Sequence, residues 1–315
     1  MKARKFKDGD CNHIYQRTKN RFNIFYDLAD YLVYYTIFCV AAAKYDVIVL
    51  GLCLMIDHIH MLVISRNRKI LSNFVSFVSS VFVREYNSSI GRQGPLFEER
   101  FGSAPKKDKK KLVSAIIYLG NNPVEKHICT EAEQYRWNFI AYLGSNHPFS
   151  EDISRKRMSF RLRKAVNIVD SHRAQGLFLN HTILHNMMDG MTTAERNYLT
   201  DYIISRYNII SKDELKKHFA TYEQLLTSLH STTGSEYDLK EELDRSSDSV
   251  YRKMILETRR FLGDYARKAI TCDREKKYQL AEHLKRTTNS TLRQILKFLH
   301  IVDPAQGGAQ PAVHQ

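Results

Sequence analysis

No Cys-x-x-Cys pair occurs in the chain, and its five cysteines, Cys11, Cys39, Cys53, Cys129 and Cys272, are odd in number. Neither a zinc knuckle nor a disulfide framework is indicated, and this fits a reducing compartment. Long apolar runs are also missing. The stretch from Tyr31 to Ala43 is interrupted by tyrosines and is too short to span a bilayer. The N-terminus, MKARKFKDGD, is basic but has no apolar core behind it, so it does not read as a signal peptide. The expectation is a soluble, cytoplasmic protein without a membrane partner. No internal repeat is visible. Acidic residues are in deficit, 34 against 48 lysines and arginines, for a formal charge of +14. Such a balance points to a polyanionic partner, nucleic acid before membrane.

What is present is enough apolar residue for real cores, 43% of 315 positions, and a change of composition near residue 150. Before it, strand and helix patterns alternate. His13 to Arg17 alternates as a first strand. Phe25 to Ala43 has helical spacing, with Asp27 and Asp30 in its early turns. Val47 to Met55 and His58 to Ile64 read as two strands, separated at Ile56-Asp57 by a turn or a bulge. Ile70 to Asn87 is an amphipathic helix, Ser88 to Pro95 a loop, and Leu96 to Phe101 a short strand or extended arm. A helix runs from about Asp108, and Pro123 should end it near Asn122. After residue 150 only helices are expected, at about 152–175, 193–206, 211–229, 236–244, 248–269, 273–286 and 290–300. The tail from Asp303 is rich in Gly, Ala, Gln and Pro and is expected to be disordered. The division is therefore 1–150, a helical region 151–302, and a tail 303–315.

The chemically suggestive stretch is Asp57-His58-Ile59-His60. Histidines two apart on a strand point to one face of a sheet and can make half of a metal site. The same pair also fits one buried and one solvated histidine. Tyr118 and Asn122 are four apart, so on a helix they face the same way. Were that helix to lie across the sheet from the histidines, two imidazoles, a carboxamide oxygen and a phenol would converge. Such a set leaves open positions on a divalent ion for a phosphodiester oxygen. A deprotonated phenol is then a nucleophile toward phosphorus. Packing of Tyr118 in a core and a helix C-cap at Asn122 are the plainer alternatives.

Four segments, in order, carry a resemblance to a known family. Leu54-Met55-Ile56-Asp57-His58-Ile59-His60-Met61-Leu62-Val63 resembles the signature of the HUH single-tyrosine transposases, which include the REP-associated tyrosine transposases. Gly91-Arg92-Gln93-Gly94-Pro95-Leu96-Phe97-Glu98-Glu99-Arg100-Phe101, then Tyr118-Leu119-Gly120-Asn121-Asn122-Pro123-Val124, then Tyr135-Arg136-Trp137-Asn138 resemble its later segments. The likeness covers roughly residues 10–145, and the Asn-Pro-Val form favours the REP-associated branch. It implies an α+β fold, a ferredoxin-like antiparallel sheet with flanking helices (the HUH catalytic domain), followed here by an all-helical C-terminal domain. It further implies Tyr118 as nucleophile and His58, His60 and Asn122 as ligands of Mg2+ or Mn2+. The substrate would be single-stranded DNA near a hairpin, and the 5′ phosphate would stay on tyrosine until a 3′-OH resolves it. The protein would act as a monomer or homodimer, nucleoid-associated when bound to DNA. Ile56 replaces the usual proline. Gly120 would loosen its helix by about 1 kcal/mol, a possible hinge. The helical region has no counterpart in the smallest members.

Single-stranded DNA needs a basic groove. Arg92, Arg100, Lys106, Lys107, Lys109 and Lys110 flank the site, and Arg155, Arg157 and Arg161 form a second basic stretch. The helices around Thr291 to Leu296 give a weak helix-turn-helix pattern. The leading expectation is a DNA nickase and strand transferase. A domesticated, non-catalytic DNA-binding protein is the alternative, and a metal-dependent hydrolase using water is a third.

Overall fold

The computed structural model describes residues 6–231 and 248–302. The first half runs β1 (Cys11–Arg17), α1 (Leu28–Lys44), β2 (Ile48–Met55), β3 (His58–Ile64), α2 (Arg68–Ile90), β4 (Gly102–Lys106) and α3 (Lys109–Glu125). The strands form one antiparallel sheet in the order β2-β3-β1-β4. With a helix after β1 and another after β3, this is the expected ferredoxin-like arrangement. Gln16 hydrogen-bonds Ser79 of α2 on one face of the sheet. On the opposite face, Leu119 of α3 packs over Gly51 and Leu62. Because side chains alternate along a strand, the α3 face is also that of His13, His58 and His60.

Local chemistry sets several boundaries. Asp27 caps α1 and exchanges hydrogen bonds with Asp30, a reciprocal capping box. Ile56-Asp57 is a tight turn, and the only register shift of the β2–β3 pair lies between Val49 and Gly51. The helix containing Tyr118 does not stop before Pro123. It continues to Glu125, because the proline falls in the last turn and removes only one donor. Beyond it, Lys126 N–H reaches Asn122 O and Ile128 N–H reaches Pro123 O. The extended segment 96–101 is an arm, with Phe97 in an isolated bridge to Thr18. The fourth strand is instead Gly102–Lys106, a short edge strand whose Pro105 and Lys106 suit an edge.

The second half is helical, as expected: α4 (Ala141–Gly144), α5 (Phe160–Ala174), α6 (His181–Met188), α7 (Thr193–Tyr207), α8 (Lys212–Lys216), α9 (Tyr222–Ser231), α10 (Asp248–Leu262), a 3-10 turn at Ala266–Thr271, α11 (Arg274–Thr287) and α12 (Leu292–Phe298). The helix expected at 152–175 is α5 and starts only at Phe160, 211–229 is two helices, and α4 and α6 were not anticipated. The helix expected at 236–244 and the tail from 303 lie outside the described residues. Among the described residues no helix is long and apolar enough to cross a membrane.

Residue 150 marks a change of composition but not a gap in the core, since one cluster of buried apolar side chains runs through both halves. Tyr35 OH donates to Ile204 O. The buried Asp201 of α7 accepts from Tyr142 OH at 2.7 Å and pairs with Arg136 at 3.3 Å. The free edge of β2 is covered by Ser211, whose N–H bonds Val49 O at 2.8 Å.

The α12 end docks on the segment after β1. Tyr26 OH donates to Phe298 O at 2.5 Å, and His300 Nε2–H donates to Asn23 O at 2.6 Å. Burial, with the charges of Arg92 and Lys277, pushes the His300 pKa down to about 3 despite that hydrogen bond. Its ordinary value is about 6.5, so between the two the unfolded chain holds more protons. Stability is therefore lost as pH falls from about 6.5 toward 3, with a slope from this residue of up to about 1.4 kcal/mol per pH unit. Denaturant titrations at pH 7, 6 and 5 should show the loss, and His300→Gln should flatten the slope.

Candidate metal and nucleophile site

The tight turn before β3 and the strand's own alternation place His58 and His60 on one face, with ring centroids 5.0 Å apart and planes perpendicular. Each imidazole is secured through Nδ1. His58 Nδ1 lies 2.6 Å from Asp57 Oδ1. His60 Nδ1 lies 3.0 Å from His13 Nε2 on the neighbouring β1. The α3 helix brings Tyr118 over the pair, its ring 5.8 Å from those of His60 and His13. One turn on, Asn122 Nδ2 lies 3.4 Å from the Tyr118 hydroxyl. Tyr118 is 5% exposed and Asn122 fully buried. The structure thus brings His58, His60, Tyr118 and Asn122 together within one chain.

Electrostatics favour metal ligation. Burial, followed by the neighbouring His58 and His13, holds the His60 pKa well below the usual histidine value, so its ring is neutral. Burial and the Lys106 charge push His13 down to about 3. Burial alone would raise the Asp57 carboxyl, but His58, by charge and hydrogen bond, with Lys297 and Arg21, holds it below its ordinary value. His58 Nε2 and Asn122 Oδ1 are buried acceptor positions with no hydrogen-bond partner among the described residues. A nitrogen and a carboxamide oxygen left this way on one face fit a divalent cation. Glu131, Glu133 and His230 also group, with ligand atoms within 4.8 Å of one another, but they are a surface cluster in which His230 hydrogen-bonds Glu133.

Gly120 does not read as a hinge here. A Cβ at that position would meet Leu229 Cδ2 of α9 at 2.6 Å. The adjacent Asn121 Nδ2 donates to Leu229 O at 2.8 Å, and Asn138 Nδ2 to Gly120 O at 3.2 Å. The glycine therefore lets α9 pack close to the helix that carries Tyr118.

The proposed DNA contacts are dispersed. The Arg92 guanidinium is spent on its own loop, bonding Asn87 Oδ1, Gly94 O and Pro95 O. Arg100 is exposed in the arm, Lys106 ends β4, and Lys107, Lys109 and Lys110 are exposed at the start of α3. Arg155 bonds Asn167 Oδ1 and Arg161 bonds Asp189 O. Arg157 is exposed beside them. Helix α5 packs on α6 and α7, the layer built on α1 and not on α3. His13, Tyr15 and Arg17 were missed in the sequence, although their period of two on the first strand was the available signal. Tyr15 stands opposite His60 and Arg17 opposite His58. The Tyr15 ring lies across Gly102, where any Cβ would fall within 1.9 Å of it, and the Arg17 guanidinium is 5.6 Å from the ring centre.

Comparison with known proteins adds a family. Residues 11–118 match the family described as "Transposase IS200 like". That likeness covers the N-terminal segment alone. The match begins with β1 and ends on Tyr118 itself. A solved structure titled "Structure of the REP associates tyrosine transposase bound to a REP hairpin" is similar over 51% of this chain and 94% of that one, at 11% identity and a TM-score of 0.40. No curated protein matches the chain. The matched residues include both histidines and the tyrosine, whereas Asn122 and the helical region lie outside them.

Proposed function

We propose that this protein is an HUH-type single-strand DNA nickase and strand transferase, with Tyr118 as the nucleophile. The observation that carries the reading is the convergence of the Tyr118 phenol with His58, His60 and Asn122 on one buried face of an IS200-like transposase domain. The phenol oxygen, having lost its proton, attacks phosphorus of a DNA phosphodiester. The bond from phosphorus to O3′ breaks, O3′ takes up a proton, and the 5′ phosphate remains on Tyr118. A free 3′-OH reverses the step and restores the phenol. His58, held by Asp57, and His60, held by His13, present ring nitrogens, and Asn122 presents its carboxamide oxygen while its amide contacts the Tyr118 hydroxyl. Mg2+ or Mn2+ held by these three would act as a Lewis acid on the phosphate oxygens.

Because Tyr118 stands beside the histidines of its own chain, a monomer contains the whole site. The DNA strand approaches over the exposed lysines at the start of α3 and the β1 residues Tyr15 and Arg17. Arg155, Arg157 and Arg161 in the region 151–302 serve as a separate phosphate-binding face. The protein works in the cytoplasm, at the nucleoid when bound.

The test is incubation with hairpin-bearing single-stranded DNA libraries and Mg2+ or Mn2+, followed by a denaturing gel. A covalent protein–DNA adduct that a chelator abolishes and that His58→Ala lowers by at least about 10–100-fold is expected. Tight DNA binding with no adduct across the library would replace this reading with a non-catalytic DNA-binding protein. Unaltered adduct in His58→Ala would remove His58 from the metal site.

A further inference from the structure

The histidine at position 13 has no part in the reading above beyond touching His60, yet its placement is specific. It is 1% exposed, on the β1 strand that pairs with β3. Its Nε2 is 3.0 Å from His60 Nδ1, and the two rings stack at 5.1 Å with 25° between planes. We propose that His13 is a positioning residue that fixes the tautomer and ring angle of His60, so that His60 presents a lone pair at Nε2. This rests on the reading of His58 and His60 as metal ligands.

The argument is one of proton count. A neutral imidazole carries one N–H and one lone pair. The 3.0 Å contact needs one N–H between the two nitrogens, and it can come from either ring. If His60 Nδ1 donates, His60 Nε2 is left with its lone pair and can ligate, and the His13 proton sits on Nδ1. If His13 Nε2 donates, the His60 proton moves to Nε2 and ligation is blocked. Only the first arrangement is compatible with a metal at His60. The second partner of a metal histidine sets its tautomer in this way. Asp57 does so for His58 with a carboxylate at 2.6 Å. His13 does it for His60 with a neutral ring. The pair of supports thus adds one negative charge to the site, where two carboxylates would add two. A site that must receive a phosphodiester is better served by the smaller number.

The test uses the full-length protein, and Mn2+ alone is the probe. Free Mn2+ is measured by electron paramagnetic resonance during titration of wild type, His13→Leu and His13→Gln. His13→Leu removes the acceptor and should weaken Mn2+ binding about 10–100-fold. In His13→Gln the amide oxygen can accept from His60 Nδ1–H, and most of the affinity should return. Equal affinity in wild type and His13→Leu overturns the proposal while leaving the metal site intact. If wild type binds no Mn2+, the metal reading itself fails. A second measurement needs neither variant nor activity. In wild-type protein with 15N-labelled histidines and Mg2+, long-range nitrogen–proton spectra should show His60 as the Nδ1–H tautomer. An Nε2–H tautomer at His60 would overturn the proposal even if both variants failed to fold.

Discussion

Replacing Tyr118 by Phe should abolish the covalent adduct and strand cleavage while leaving the fold and DNA binding nearly unchanged. The substitution removes one oxygen. The Tyr118 ring sits edge-on to His60 and His13, a packing that Phe retains. Its hydroxyl has the Asn122 amide at 3.4 Å, a long contact whose loss costs little stability. The chemical loss is of another order. Among the described residues no other hydroxyl or thiol is placed beside both histidines by the contacts above, and deletion of the nucleophile of a covalent mechanism costs roughly six orders of magnitude in rate in a serine protease. The measurement pairs a denaturing gel for adduct with a binding titration on the same hairpin-bearing strand. The thermal midpoint should stay within about 2–4 °C of wild type, the shift expected for about 1 kcal/mol in a large domain. Wild-type-like cleavage by Tyr118→Phe would mean that water or another residue attacks phosphorus and that Tyr118 is packing.

The parts of this arrangement that were legible in the sequence were those with short-range signals. The period of two puts His58 and His60 on one face, and the i, i+4 spacing puts Tyr118 with Asn122. Both pairs are local, so local geometry was enough. β4 was not legible. Its residues, Gly102-Ser103-Ala104-Pro105-Lys106, are poor strand formers, and it is a strand only because β1 offers an edge to pair with. His13 shows the same limit. Its strand was visible, but its partner is 47 residues away. Pro123 misled in the other direction: its rule is local, yet the last turn of a helix loses little to it. Arg92, in a family-like segment, looked like a phosphate contact, and only the closed loop shows the guanidinium already used. Nor could the sequence tell that Gly120 makes room for Leu229, 109 positions further on.

A contact between residues 237 apart in the chain carries the second large effect. Replacing Arg267 by Ala should destabilise the protein by about 3–5 kcal/mol, as expected when one partner of a buried ion pair is removed. Arg267 is 2% exposed, in the 3-10 turn after α10, and its guanidinium bonds Asp30 Oδ1 at the start of α1. His181 of α6 meets the same carboxylate oxygen at 3.0 Å, and the Tyr86 ring of α2 lies 5.0 Å below the guanidinium carbon. Burial alone would lower the Arg267 pKa, but Asp30 and then Tyr86 and Asp27 raise it, so the group stays charged. Asp30 Oδ2 meanwhile accepts from the backbone N–H groups of Tyr26 and Asp27. One fully buried carboxylate therefore fixes the α1 N-terminus and joins it to α6 and to the end of α10. Without Arg267 the hydrogen bonds left to this carboxylate from the residues named here are those of His181 and two backbone amides. The loss should appear as a fall of roughly 5–15 °C in thermal midpoint. The double variant Asp30→Asn, Arg267→Met removes both charges and should lose less than the sum of the single changes, because no unpaired charge remains. Both halves of the chain should melt together in each variant, since the pair spans them. A transition that splits in Arg267→Ala, with the N-terminal sheet domain melting at its wild-type temperature, would show that the helical region is stabilised by its own contacts and that this pair only tethers it.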